Sequence, residues 1–184
     1  MSYDVTNLLV ESFKEKVSEE SARDIGKILQ FANEIFIRKW IKDFCEIDNE
    51  KVENDEFGNE PSWDINMYPS SKRSRIVRVQ AKFRGGKSKN GMPTLHMENT
   101  RRVSKKNLGD ASSSGHVAYS KDEFDVVVFT VPREDIFTTE HWEVLAIPAY
   151  ELIDPKYPNY LCRRVSSALY KKYKGKAKEV LASL

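Results

Sequence analysis

Two short stretches of this chain alternate strictly between apolar and polar residues, and a turn-forming segment joins them. In Asp64–Tyr68, Ile65 and Met67 fall on one side, and Asp64, Asn66 and Tyr68 on the other. Arg75–Phe83 repeats the pattern, with Val77, Val79, Ala81 and Phe83 against Arg78, Gln80 and Lys82. Side chains of a strand point alternately to its two faces, so each stretch predicts a strand with one apolar face. Pro69–Ser74 between them is turn material. Together they predict an antiparallel hairpin with one dry and one polar face.

The rest of the chain supplies elements to cover such a hairpin. Ser21 is a candidate cap for a helix running to about Glu46. Its residues Ile25, Ile28, Leu29, Ala32, Ile35 and Phe36 recur at helical spacing. Phe31, Ile37, Trp40 and Ile41 widen the stripe, so its second half is expected to be buried. Phe124–Val131 is a continuous apolar run of strand length, expected of a central strand covered on both faces. Trp142–Ile147 predicts a further strand, and Thr94–Glu98 a short one. Val165–Leu181 predicts a lysine-rich helix with Gly175 as its weak point. Asn7–Lys16 predicts a short leading helix, and Asp48–Pro61, Gly85–Asn90, Gly109–Gly115 and Asp154–Pro158 read as loops. The order is helix, hairpin, central strand, strand, helix, which makes 1–184 one α/β domain with a mixed sheet flanked by helices.

Charge is distributed unevenly. The net charge is +2, but residues 72–106 hold 12 Lys/Arg and one acid, Glu98, for a local charge of +11. Residues 1–71 carry −8 and residues 107–184 carry −1. A block this basic points to a polyanion partner, since like charges at that density repel unless something neutralises them. The cations Arg73, Arg75, Arg78, Arg84, Lys87, Lys89, Arg101, Arg102, Lys105 and Lys106 form the pool expected to contact phosphates. No apolar run approaches the roughly 20 residues of a membrane helix, and the acidic start does not read as a signal peptide. Cys45 and Cys162 stand far apart in no CxxC pair, which suggests buried free thiols, a cytoplasmic setting and no zinc ribbon.

The polar face of the hairpin carries the chemistry. With the turn near Ser70–Lys72, Asp64 falls opposite or diagonal to Gln80, within about 5–8 Å. Lys82 follows on the same face, about 6.5–7 Å along the strand. One carboxylate, one amide and one ammonium therefore converge beside a positive loop. Mg²⁺ takes hard oxygen ligands, and Asp64, the side-chain oxygen of Gln80 and the carbonyl of Ala81 are candidates to hold it. Such an ion polarises a phosphate and acidifies a bound water, while Lys82 orients that water or offsets developing charge.

These residues carry a resemblance. Asp64, a spacer and Val79-Gln80-Ala81-Lys82 resemble the PD-(D/E)xK nuclease signature in its QxK variant. The phrase RVQAKF looks like the corresponding strand of Mrr-type restriction endonucleases and of intron-encoded homing endonucleases with this fold. Tyr119 followed by Phe124-Asp125-Val126-Val127-Val128-Phe129 resembles the tyrosine-then-aspartate strand that comes after the core in such nucleases. The likeness covers about residues 25–150 in layout, and only the QxK hairpin is motif-specific. It implies a restriction-endonuclease-like core that cuts DNA phosphodiesters at directed sites with Mg²⁺, or Mn²⁺ as a substitute. Asp64, Gln80 and Lys82 would be its catalytic residues. Asp64 follows Trp63 rather than a proline, and Gln80 replaces the commoner acid, leaving one fewer negative charge for a metal. In such nucleases the first helix often adds a carboxylate, and Glu34 is the candidate. Read from spacing alone, Glu34 is equally a partner for Arg38 at i,i+4. Cutting both strands of a duplex would favour a homodimer.

Other classes have less behind them. Gly85–Ser88 ends like a P-loop, but position 81 is alanine where that motif needs its first glycine, and Gly91 and Pro93 oppose a following helix. His96, His116 and His141 have no metal spacing, and Ser112–Ser114 lies in no nucleophile elbow. A non-catalytic nucleic-acid-binding module using the basic block alone, and a Holliday-junction resolvase on the same core, are the alternatives to a linear-DNA endonuclease.

Overall fold

A computed structural model describes residues 22–47, 63–69, 75–84, 93–99, 117–132 and 142–184. Its elements are helix α1 (Ala22–Lys42) and strands β1 (Glu46–Ile47), β2 (Ile65–Tyr68), β3 (Val77–Phe83), β4 (Glu98–Asn99), β5 (Val117–Ala118), β6 (Val126–Pro132) and β7 (Trp142–Pro148). A 3₁₀ turn (Ala149–Leu152) and helices α2 (Ser167–Tyr173) and α3 (Ala177–Ala182) complete the chain. Five strands form one sheet in the order β1-β2-β3-β6-β7, and β4 pairs with β5 apart from it.

The alternating stretches form the hairpin. β2 and β3 pair antiparallel with Ile65 opposite Val79, Asn66 opposite Arg78 and Met67 opposite Val77. Ile65, Met67, Val77, Val79 and Ala81 are completely buried, as the period-two pattern predicts. β6 lies between β3 and β7, parallel to the first and antiparallel to the second. Both its faces are covered, which is why its sequence is apolar without alternation. Phe36 of α1 meets Trp142 edge-on, and Trp142 meets Phe83, so the helix packs across that side of the sheet.

The parallel register of β3 and β6 is locked by one ion pair. The backbone N–H of Arg78 donates to Asp125 Oδ2 at 2.8 Å, and its guanidinium spans both carboxylate oxygens at 3.1 and 3.2 Å. The third guanidinium nitrogen donates to the Asp122 carbonyl at 2.7 Å. Burial alone would raise the Asp125 pKa, but the Arg78 side chain and backbone N–H outweigh it and hold the carboxyl below its ordinary range. This contribution to stability is present above the unfolded pKa of about 3.9 and fades as pH falls through the lower folded value.

Several expectations change in detail. The first helix ends at Lys42 rather than Glu46, and Ile35 is exposed while Ile37 and Ile41 are buried. The short strand expected at Thr94–Glu98 is a single bridge, His96 to Arg164, followed by β4. Cys45 and Cys162 are free but half-buried. Asn7–Lys16, Asp48–Pro61, Gly85–Asn90 and Gly109–Gly115 lie outside the described residues. The C-terminal helix is two helices. Ser166 caps α2 by accepting the Leu169 N–H at 3.2 Å, and the chain turns at Gly175 with φ of +75° before α3. Only glycine adopts that angle without strain. Gly175→Ala should therefore destabilise the fold by about 1 kcal/mol through backbone strain alone, since an added Cβ meets nothing within 4 Å. Denaturant unfolding should show a lower midpoint with an unchanged slope.

Candidate active site

The site forms where β2 leaves β3. The alternate groups of β3 that face β2 must each find a partner, because unpaired backbone polar groups are costly inside a protein. Val79 O accepts the Asp64 N–H at 2.9 Å, which ends the regular ladder. The next group, Ala81 N–H, has no β2 carbonyl opposite it. The Asp64 side chain takes that place: Oδ2 accepts the Ala81 N–H at 2.7 Å and the Gln80 Nε2 at 2.5 Å. The paired register ends at Ile65 opposite Val79, and it is the Asp64 side chain that reaches Gln80, within the neighbourhood that the alternation predicts.

Gln80 is buried at 6 % exposure, so the polar face of the hairpin turns into the protein at this point. Lys82, two residues on, donates from Nζ to the hydroxyl of buried Tyr119 at 2.6 Å. Glu34 lies near enough on α1 to raise the pKa of Asp64 electrostatically. The predicted set of Asp64, Gln80, Lys82 and Glu34 is therefore gathered by three elements and the segment bearing Tyr119.

Sequence reading assigned no place in the site to three neighbours. Gln30 donates from Nε2 to Ala81 O at 3.2 Å and accepts the Phe83 N–H at 3.5 Å. Arg38 donates to the Asp64 carbonyl oxygen at 2.5 Å. The hydroxyl of Tyr119 is the third. Gln30, Glu34 and Arg38 recur at i, i+4 and i+8, and that polar stripe along one side of an apolar helix was the available signal.

The charges are strained by burial. Desolvation pushes Asp64 up to about 6, helped by Glu34 and opposed by the Ala81 N–H, Lys82 and Arg38. Desolvation pulls Lys82 down to about 8, with Arg84 lowering it further and Asp64 opposing. The donor set suits a hard cation: a carboxylate with an oxygen outside these bonds, an amide and a second acid on the helix. Ala81 O fits this role less well than the sequence suggested. It already accepts Nε2 of Gln30 and of Gln80, each at 3.2 Å, and a carbonyl has two lone pairs. Among the described residues no three His, Cys, Asp or Glu side chains converge.

The basic pool divides. Arg78 bonds Asp125 and Asp122 through all three guanidinium nitrogens, which ties it to the β3–β6 register. Arg84 is half-buried and donates to His96 O at 3.3 Å. Arg75 is exposed and reaches Leu184 O at 3.3 Å. Arg73, Lys87, Lys89, Arg101, Arg102, Lys105 and Lys106 lie outside the described residues. Tyr119 joins the site, while Asp125 serves the β3–β6 register.

A mixed five-stranded sheet with flanking helices is the α/β architecture expected for this chain. Among solved structures, the fold resembles that of a bacterial homing endonuclease, I-Ssp6803I, with a TM-score of 0.52 at 19 % identity over 89 % of this chain and 95 % of that one. No family model matches the sequence, and no curated protein matches it.

The buried charges make the site a stability cost that pH controls. The raised pKa of Asp64 means its favourable term is complete below the unfolded value and is lost as pH rises through about 6. The lowered pKa of Lys82 means its favourable term is complete above the unfolded value and is lost as pH falls through about 8. Between pH 6 and 8 both costs apply. Asp64→Asn keeps an oxygen for Ala81 and Gln80, because both bonds end on Oδ2. In metal-free buffer at pH 7.5 it should stabilise the fold by about 1–2 kcal/mol, a gain that vanishes near pH 4. Thermal melts of the two proteins at both pH values check this.

Proposed function

We propose that this chain is a Mg²⁺-dependent DNA endonuclease of the PD-(D/E)xK type in its QxK variant. The observation that carries the reading is the convergence of Asp64, Gln80 and Lys82 at the split between β2 and β3. The shared fold with a homing endonuclease supports it. Asp64 and Gln80 would hold the ion with Glu34 as the third donor, and Ala81 O would join only by giving up an amide bond. Held by these residues, such an ion would polarise the phosphate and acidify water.

The chain's own residues do the rest. Burial pushes Asp64 up to about 6, still below neutral pH, so its carboxylate form prevails there. Lys82 is held by Tyr119 at a defined place and titrates near pH 8. Its charged form offsets negative charge building on the phosphate. Its neutral form accepts a proton from water, and near pH 8 both forms are populated. Cations of the basic block grip the phosphate backbone without reading sequence. Site-directed cleavage of restriction or homing type, action as a homodimer and an intracellular setting with access to DNA complete the proposal. No helix among the described residues is long and apolar enough to cross a membrane.

A mixed pool of linear DNA, incubated with Mg²⁺ or with EDTA, tests the reading. Wild type should cut only with the metal, and Asp64→Ala should not cut. Lys82→Ala should lose cleavage by about 10²-fold or more while keeping DNA binding, because binding rests on many other cations. Salt-sensitive binding with no cutting would identify a binding module instead. Cutting confined to four-way junctions would identify a resolvase.

A further inference from the structure

Helix α1 touches both site strands through their backbones. Gln30 bonds Ala81 O and Phe83 N–H of β3, and Arg38 bonds Asp64 O at the entry to β2. An amide that donates to one carbonyl and accepts from the N–H two residues on does what a residue of a parallel neighbouring strand does. The β2-facing groups of β3 are thus met in order by the Asp64 backbone, the Asp64 carboxylate and Gln30. Gln30 and Arg38 lie eight residues apart, about 12 Å along one face of the helix. Glu34 sits midway between them.

We propose that Gln30 and Arg38 are positioning residues that make α1 a two-point clamp on the split between β2 and β3. The clamp fixes the distance from Asp64 to Gln80 and Lys82, and it delivers Glu34 to the same point. This rests on the endonuclease reading above. Neither residue needs to touch DNA. Reacting groups misplaced by about 1 Å lose on the order of 10² in rate, so the clamp acts on turnover rather than on binding.

The test combines single-turnover cleavage, DNA affinity at two salt concentrations and amide hydrogen exchange. Gln30→Met is expected to cleave about 10–100-fold more slowly with unchanged KM, and to expose the Phe83 amide to faster exchange. Arg38→Met is expected to slow cleavage similarly, with Arg38→Lys restoring part of the rate through its remaining donor. Should Gln30→Met fail to fold, Gln30→Glu keeps the acceptor for Phe83 and loses the donor to Ala81. Slow cleavage with the Phe83 amide still protected is then expected. Wild-type rates in these variants, or an unprotected Phe83 amide in wild type, would overturn the clamp alone. A raised KM and a flatter salt dependence in Arg38→Met would overturn it by making Arg38 a phosphate contact. A wild type that cuts no DNA would bring down the endonuclease reading and the clamp with it.

Discussion

Everything around the site follows from the place where β2 stops tracking β3. A strand that departs from its neighbour strands the backbone groups it would have paired, and buried groups cannot be left to water. Here the Asp64 carboxylate takes the first stranded N–H and the Gln30 amide takes the next carbonyl and N–H. The split therefore opens a polar notch in an apolar sheet without orphaning the main chain. A carboxylate recruited to satisfy backbone is also one fixed in direction, since both its partners end on the same oxygen.

Fixing charges in that notch costs stability. Asp64 and Lys82 are each pushed toward neutrality by burial, and neither is fully compensated by the other. A fold built only to persist would fill this volume with aliphatic side chains. Strain of this kind collects at functional positions, where perturbed acids and bases are useful. Here the perturbed groups lie together in the notch, next to an amide and a second acid.

The scaffold can carry this cost because its other half is conventional. β6 is covered on both faces, and the Arg78–Asp125 pair pins its parallel alignment with β3 at the end remote from Lys82. Parallel strands have no connecting turn to set their register, so a side chain spanning both main chains does that work. Arg78, one of the ten cations of the basic pool, is engaged in this alignment.

Much of this was legible in the residues themselves. Period-two alternation in Asp64–Tyr68 and Arg75–Phe83 determined the hairpin and its buried face, because side-chain direction in a strand is a local property. The unbroken apolar run after Phe124 determined a covered strand for the same reason. The break at Gly175 was visible as a weak point, though not the positive φ that makes it a true end. What the tertiary structure decided is which polar residues meet. Tyr119 reaches Lys82, Arg78 turns to Asp125, and Gln30 and Arg38 close on β3 and β2, each across 26 to 53 residues of chain. Nothing in local spacing ranks such pairings, since a polar residue's partner is set by where packing of the apolar faces brings the elements together.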